Sequence, residues 1–457
     1  MSRIFLFQII LIIVSTCLKA QILTKEHALE DLIFLKKELE QNHAGLYRYT
    51  SQEAFDENFE NIISLGESTK LDFFKSVRSL LSQIKCGHTN ASLPREVYDE
   101  FVSNRKFLPV MVKFSDQGLV VTNSSLTMNQ LHVGDRILSV DGHDLEVMTQ
   151  SIFSHLPSDG FTSTGKYRYM ESFFYYYHQL FVDNQRREVF SLEIIDSAGQ
   201  KRMVEVRGKL LAEVESIREI DNQPLLELKH LEDYSFMRIR TFSSSALNEQ
   251  GLRFNKFLAD SFKELKKRQV KKLILDLRDN GGGDDNYGAT LVSYFADKPF
   301  RYFDNIQVTA SYNGYGRISE ENGLRYMNSH QGLEEWKPEK DRFEGEVIVL
   351  INGFSFSTCA DVAAVLHNNK WATFVGEETG GGYDGNTSGS THSIRLPNSQ
   401  IQVQIPMWMY TTANVPHAYR GRGVPADNKV IYSVSDLIQK KDPVMDKALQ
   451  LIKNSSR

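Results

Sequence analysis

The chain is poor in cysteine, with 3 in 457 residues, so no dense disulfide framework holds it together. Excess charge is slight: 53 Lys and Arg against 58 Asp and Glu leave a formal net charge of −5, with no electrostatic footprint for nucleic acid. The basic runs are short, and Lys266-Lys267-Arg268 and Lys271-Lys272 read as the solvated end of a helix and the start of a strand. Internal repeats and low-complexity tracts are absent. So is a His-Glu-x-x-His stretch, and no glycine run is followed by Lys-Ser or Lys-Thr, which argues against a metalloprotease helix and a phosphate loop. Cys86 with His88 alone offers too few ligands for zinc. No metal and no cofactor are expected. The one long apolar run, Ile4 to Val14, is too short for a comfortable membrane span.

That run has Arg3 before it and the small residue Ala20 after it, which is the pattern of a signal peptide over residues 1–20, cleaved before Gln21. Cys17 offers the alternative of a lipoprotein site, although Val-Ser-Thr before it and Leu18 after it fit that pattern poorly. The mature chain is expected to be exported, to a periplasm or the extracellular space, with no stable membrane span. Cys86 and Cys359 then remain, an even pair in an oxidising setting.

What is present is an ordinary globular composition, 41% hydrophobic and 24% charged, on a chain longer than one core usually supports. From Leu23 to about Ser82 the spacing of Leu29, Leu32, Ile33 and Leu39, and of Phe55, Phe59, Ile62 and Ile63, is that of amphipathic helices. Gly87 ends this part within Ile84-Lys85-Cys86-Gly87-His88-Thr89. Strand patterns follow from about Lys106 to Leu145. The aromatic cluster Tyr167 to Phe181 reads as core or a packing face. Val189 to Ile195 and Arg202 to Val206 form a hairpin pattern around Ala198-Gly199. From Tyr234 a strand, a helix bearing Phe254, Phe257, Leu258, Phe262 and Leu265, and the buried strand Leu273 to Leu277 predict a βαβ unit in a largely parallel sheet. A hairpin is expected at Ile394 to Leu396 against Ile401 to Ile405, and a final amphipathic helix from Val434 to Ile452.

The stretch Glu346 to Asn386 carries the chemistry. Val347 to Ile351 is an aliphatic strand apolar on both faces, the turn Asn352-Gly353 stops it, and Val362, Val365 and Leu366 share one helical face beyond. Ser357 therefore sits where strand hands over to helix. A serine there serves as an N-cap or, beside unpaired N–H groups and a positive dipole end, as a nucleophile.

Asn-Gly-Phe-Ser-Phe-Ser357-Thr-Cys, then Val375-Gly376-Glu377-Glu378-Thr379, resembles the serine region of the C-terminal processing (tail-specific) proteases and their tricorn-like relatives. Leu273-Ile-Leu-Asp-Leu-Arg-Asp-Asn-Gly-Gly-Gly283 resembles that family's glycine loop. Val133-Gly134-Asp135-Arg136-Ile137-Leu138-Ser139-Val140-Asp141-Gly142 is similar to the most recognisable stretch of a PDZ domain, but no glycine-rich carboxylate loop is evident in Phe107 to Val112. The resemblance implies an α/β multidomain fold: an α/β (ClpP/crotonase-like) serine peptidase core, a PDZ-like module and a helical N-terminal cap. Its divisions are a helical domain over 21–104, a PDZ-like module with connector hairpin over 105–210, and a catalytic core over 211–457.

For the site, the resemblance implies Ser357 as nucleophile and His88, in a Gly-His-Thr setting before the PDZ-like module, as base. The lysine of the processing branch would stand at Gly382, so a Ser-Lys dyad is not expected. Thr358 and the loop glycines Gly281 and Gly282 are the expected oxyanion donors. If His88 and Ser357 meet, Cys86 and Cys359, each two residues away, are candidates for a disulfide tying the two segments, with two buried free thiols as the alternative. The tricorn-like acid lies just ahead of a Gly-Val-x-Pro-Asp segment; Gly421-Arg-Gly-Val-Pro-Ala-Asp427 has Arg420 near that place, which leaves Glu377, Glu378 and Asp384 as candidates. The function implied is a serine endopeptidase acting on peptide or protein substrates. The alternatives are an inactive peptide-binding or scaffolding protein of the same fold and a small-acyl esterase.

Overall fold

The computed structural model describes residues 22–63, 66–219 and 222–454. The expected signal peptide, its cleavage site and Cys17 lie outside the described residues. Three amphipathic helices open the chain, α1 (Lys25–Asn42), α2 (Gln52–Ile63) and α3 (Lys70–Ser82), and α4 (Arg95–Ser103) follows. Thr24 and Thr69 cap the first and third, each hydroxyl accepting a backbone N–H of the first turn. Their buried faces, including Leu32, Leu35, Leu39, Phe73 and Val77, join one hydrophobic cluster.

Strands β1 (Met111–Ser115), β2 (Gly118–Asn123) and β3 (Arg136–Val140) come next, then helices α5 (Leu145–Phe153) and α6 (Thr164–Tyr177), then strands β4 (Val189–Ile195) and β5 (Lys201–Arg207). The five strands form one antiparallel sheet in the order β1-β2-β3-β4-β5. The 189–207 hairpin thus completes this sheet, a point its sequence leaves open. From the aromatic cluster, Phe174 and Tyr175 are buried, so that face packs inward.

The last part holds β6 (Leu226–His230), β7 (Ser235–Ile239), α7 (Phe254–Lys267), β8 (Lys272–Asp276), α8 (Asp285–Ser293), β9 (Phe303–Val308), β10 (Glu346–Ile351), α9 (Thr358–Asn368) and β11 (Thr373–Gly376). It ends with β12 (Thr387–Arg395), β13 (Gln402–Thr412), β14 (Asn428–Lys429), α10 (Val434–Ile438) and α11 (Pro443–Asn454). A six-stranded sheet runs β6-β7-β8-β10-β11-β14, parallel except for the β6 edge. Alternation within β10 explains its unbroken apolar run. Val347, Val349 and Ile351 face the layer that holds α7, α8 and α9, whereas Ile348 and Leu350 face Val444, Ala448 and Ile452 of α11. Each such side chain, fully withdrawn from water, contributes on the order of 2 kcal/mol.

The single final helix expected over Val434 to Ile452 is two helices. Lys440 takes a positive φ of 51°, which ends α10, and Pro443 opens α11 at the position where a missing N–H costs nothing. Among the described residues no helix is long and apolar enough to cross a membrane.

Two features aim the N-terminal part at the last one. The hairpin β12–β13 puts Leu396, Ile401, Val403 and Ile405 into the same cluster as the N-terminal helices. The short strand Asn90–Ser92 adds to that hairpin, with Ala91 opposite Val403, which fixes the segment just before it.

Candidate active site

Ser357 is placed by a turn sewn onto the glycine loop. Leaving β10, Asn352 donates its N–H to Ser355 Oγ at 3.1 Å, and that hydroxyl donates to the Leu277 carbonyl at 2.9 Å. Phe356 N–H then donates to the Asn280 carbonyl at 3.0 Å. These ties hold Ser357 at φ 55°, ψ −133°, a conformation that costs a non-glycine residue roughly 1–3 kcal/mol and persists only where neighbours enforce it. It is the N-cap residue of α9, yet its side chain makes no capping bond, so the N-cap reading of this serine does not hold. The hydroxyl points to His88 instead, with His88 Nε2 at 3.2 Å from Ser357 Oγ.

His88 arrives from a segment held on both sides. The Asn90–Ser92 strand follows it, and Gly87 before it donates its N–H to Asp159 Oδ1 at 2.8 Å. Gly87 has room for no side chain, since a Cβ would lie 2.5 Å from the Phe356 ring. That ring also lies under the imidazole, with centroids 4.8 Å apart. Burial pushes the His88 pKa down, and the Asp159 carboxylate opposes the shift. The imidazole is therefore neutral near neutral pH, as a proton acceptor must be. Its Nδ1 is buried with no hydrogen-bond partner.

Asp159 is the carboxylate beside His88, and each of the acids considered from sequence is held by other groups. Glu377 is held by Arg168, whose Nε donates to it at 3.1 Å. Glu378 accepts from Arg422 Nε at 3.0 Å and Gly423 N–H at 2.8 Å. Asp384 pairs with Arg48 at 3.3 Å and accepts from Tyr49 Oη at 2.9 Å. Asp159 is 1% exposed; burial pushes its pKa up, and His88, the Gly87 N–H and Arg48 pull it down. Its loop is clamped by Gly160 N–H on the Lys85 carbonyl at 2.9 Å and Phe161 N–H on the Gly421 carbonyl at 2.7 Å. The 420–427 segment, where the resemblance places the acid, thus packs directly on the loop that carries Asp159. Ser158-Asp159-Gly160 reads locally as a turn, and nothing in it points to a histidine 71 positions earlier.

The glycine loop lies against Ser357. A Cβ on Gly282, whose φ is 93°, would meet Ser357 Cβ at 2.7 Å and Thr358 N at 2.9 Å. Gly282 donates its own N–H to Asn280 Oδ1 at 2.9 Å, so of the two glycines considered as oxyanion donors, this one is already engaged. Gly281 faces open space. Thr358 begins α9, where N–H groups lack intrahelical acceptors, and its hydroxyl is fixed by donation to the Gly283 carbonyl and Asp285 Oδ1 at 3.0 and 2.9 Å. Burial pushes Asp361, in the same first turn, well above the usual carboxylate range.

Gly382 excludes a Ser-Lys dyad on steric grounds. A Cβ there would stand 2.5 Å from the Gly385 carbonyl, and the Gly382 N–H faces Asp159 Oδ2 at 3.4 Å. The candidate disulfide is absent: Cys86 and Cys359 are free and buried. Cys86 Sγ donates to the Thr387 carbonyl at 3.4 Å and Cys359 Sγ to the Leu277 carbonyl at 3.6 Å, so each thiol turns to the strand or loop beneath its own segment.

Beside the pair lies a cavity of about 210 Å³ lined by Gly87, Tyr169, Gly281, Phe354 and Phe356. A larger cleft of about 610 Å³ is lined by His43, Arg48, Asp384 and Arg420, and the lining of neither cavity includes Ser357 or His88.

Comparison with known proteins bears on the family and the fold. A family model described as peptidase family S41 matches residues 233–430. Mature CPAF complexed with lactacystin is similar in structure at 16% identity and a TM-score of 0.66, covering 94% of this chain and 99% of that one. A second structure of mature CPAF gives the same score and identity over 95% of this chain and 99% of its own. A Parabacteroides merdae protein reaches a TM-score of 0.50 at 17% identity, over 94% of this chain and 96% of its own. No curated protein sequence matches the chain. At these identities the structural likeness is one of fold.

Proposed function

The chain is a member of peptidase family S41, the C-terminal processing proteases, and from that premise we propose that it is an exported serine endopeptidase in which Ser357 is acylated with His88 as general base. The observation that carries this reading is the 3.2 Å approach of His88 Nε2 to a hydroxyl held on a strained helix-entry residue. In the first step Nε2 takes the Ser357 proton as Oγ attacks a peptide carbonyl. The tetrahedral oxygen gathers charge against the N–H of Thr358 and that of Gly281, ahead of the α9 dipole. The imidazolium, stabilised by Asp159, then returns the proton to the leaving amine. Water repeats the sequence and frees the acid product. The cavity beside Phe356 suits an apolar substrate side chain, since Tyr169 and Phe354 form its walls.

In this reading the β1–β5 sheet with its helices is the PDZ-like module of residues 105–210, and α1 to α4 form the cap of residues 21–104. The pairing of β4 with β3 supports assigning the hairpin to the module. Export follows from the N-terminal pattern of Arg3, Ile4 to Val14 and Ala20. The test is labelling of the intact protein by a fluorophosphonate. Labelling confined to Ser357 and absent from folded His88→Ala protein is expected. A folded chain that does not label is a binder, and labelling with turnover of small esters but not peptides makes it an esterase.

A further inference from the structure

Cys86 stands at the site without a part in the reaction. One sulfur, one ring nitrogen and one carboxylate oxygen, from Cys86, His88 and Asp159, all lie within 4.8 Å of one another. Cys86 and Asp159 are 4% and 1% exposed, and His88 Nδ1 is a buried acceptor or donor with nothing to bond. A polar atom in that condition calls for an explanation, and a bound ion is one that the neighbouring donors suit. Thiolate, imidazole and carboxylate together are a donor set that suits Zn²⁺, with three protein ligands and a fourth position for water.

We propose that Cys86 Sγ, His88 Nδ1 and Asp159 form an inhibitory zinc site. Bond lengths of about 2.0–2.3 Å require the three atoms to draw in by about 1 Å, within the reach of side-chain rotation. The free thiol proton, now shared with the Thr387 carbonyl, leaves to solvent as the sulfur–metal bond forms. No electron is transferred. Asp159 keeps Gly87 N–H on Oδ1 and offers its other oxygen to the metal.

The consequence for the serine follows from the tautomer. A neutral imidazole that gives its Nδ1 lone pair to a metal carries its one proton on Nε2. That nitrogen then donates to Ser357 Oγ and has no lone pair left to accept the serine proton. Zinc thereby stops attack without touching the nucleophile. The existence of the site is independent of the proposed peptidase mechanism, while its inhibitory effect rests on it.

The experiment titrates the intact, metal-stripped protein with Zn²⁺ and, separately, with Co²⁺, reading metal bound, cobalt absorption and fluorophosphonate labelling of Ser357. One metal per chain is expected, with a thiolate-to-cobalt charge-transfer band, and labelling lost as the site fills and restored by a chelator. Cys86→Ser, measured against its own metal-free baseline, should lose the band and need at least about tenfold more zinc for half-inhibition, since even outer ligands of a metal are worth that much. Cys359→Ser should keep the band. Should Cys86→Ser fold poorly, Asp159→Asn serves, with weakened cobalt binding as the readout. No band in the unmutated chain, or zinc inhibition unchanged by Cys86→Ser, overturns the site. A cobalt band in protein that never labels leaves the site standing and removes the serine mechanism.

Discussion

Ser357 and His88, the proposed nucleophile and base, are built on opposite terms. Ser357 is set by contiguous sequence: a strand, a six-residue turn and a helix, whose backbone bonds to one neighbouring loop fix φ and ψ. His88 is set by distance. Its segment has no regular structure of its own and is held by the three-residue strand Asn90–Ser92 on β13, by Asp159 on Gly87, and by the core that the N-terminal helices share with β12–β13. Local construction makes a residue rigid and legible. Remote construction makes it dependent on whatever holds the two parts together.

The first way to break the comparison is to delete each partner. Ser357→Ala and His88→Ala should each lower kcat/KM for a peptide substrate by about 10⁴-fold or more, because members of such a unit fail together. Thermal midpoints should stay close to that of the parent in both, which circular dichroism checks. Equal losses that do not add in the double variant mark one device; a His88→Ala enzyme that keeps most of its activity separates the two halves.

Acid should loosen the base's side before the nucleophile's. His43 is fully buried beneath the His88 segment, accepting the Gly45 N–H on Nδ1 at 3.1 Å and so donating from Nε2 to Thr89 Oγ1 at 2.7 Å. Burial pushes its pKa down to about 3. The unfolded chain takes up a proton that the folded one refuses, so stability from this group is complete above about pH 6.5 and lost as pH falls from there toward about 3. The loss amounts to about 5 kcal/mol at its limit. Denaturant midpoints across that window should fall, and less so in His43→Gln. Hydrogen exchange at residues 86–92 should rise at a higher pH than exchange at 347–351; simultaneous release would contradict the contrast.

Asp159 sharpens the comparison at smaller magnitude. Asp159→Asn keeps the acceptor for Gly87 N–H and removes the charge that opposes the burial of an imidazolium. A loss of about 10²-fold in kcat is expected, at the lower end of what acid–base machinery supplies, with KM nearly unchanged and the fold intact. A KM effect alone would make Asp159 a structural clamp on Gly87.

Legibility in the sequence divides along the same line. The aliphatic run of Val347 to Ile351, the Asn352-Gly353 turn and the spacing of Val362, Val365 and Leu366 carry their structure locally, and so do the βαβ pattern and the glycine loop. His88 was reachable only through its Gly-His-Thr setting in the resemblance, because 12 histidines offer no local signal for choosing one. Asp159 was not reachable. It lies in an Asp-Gly turn between the strand patterns that end at Leu145 and the aromatic cluster that begins at Tyr167, and its place comes from a clamp between Lys85 and Gly421 that no spacing encodes. The long final helix failed for a local reason that was readable, a proline at Pro443 that starts a helix instead of continuing one.

The smallest effect expected concerns what ties the two halves. A disulfide between Cys86 and Cys359 would close a loop of more than two hundred residues and contribute roughly 5 kcal/mol in the chain-entropy account. Both thiols are instead free, buried and bonded to different carbonyls, and burial pushes Cys86 up to about 12. A thiol so far from its thiolate is a poor partner for exchange. Reductant should therefore move the thermal midpoint by no more than about 2 °C, given the scale on which a kcal/mol appears in a chain of this size. Thiol titration should count two free groups in denatured protein of residues 21–457 and almost none in the native state. A midpoint that drops sharply with reductant would show a covalent bridge joining the base's segment to the nucleophile's helix, and the two halves would then be bound by a tie that the packing alone now supplies.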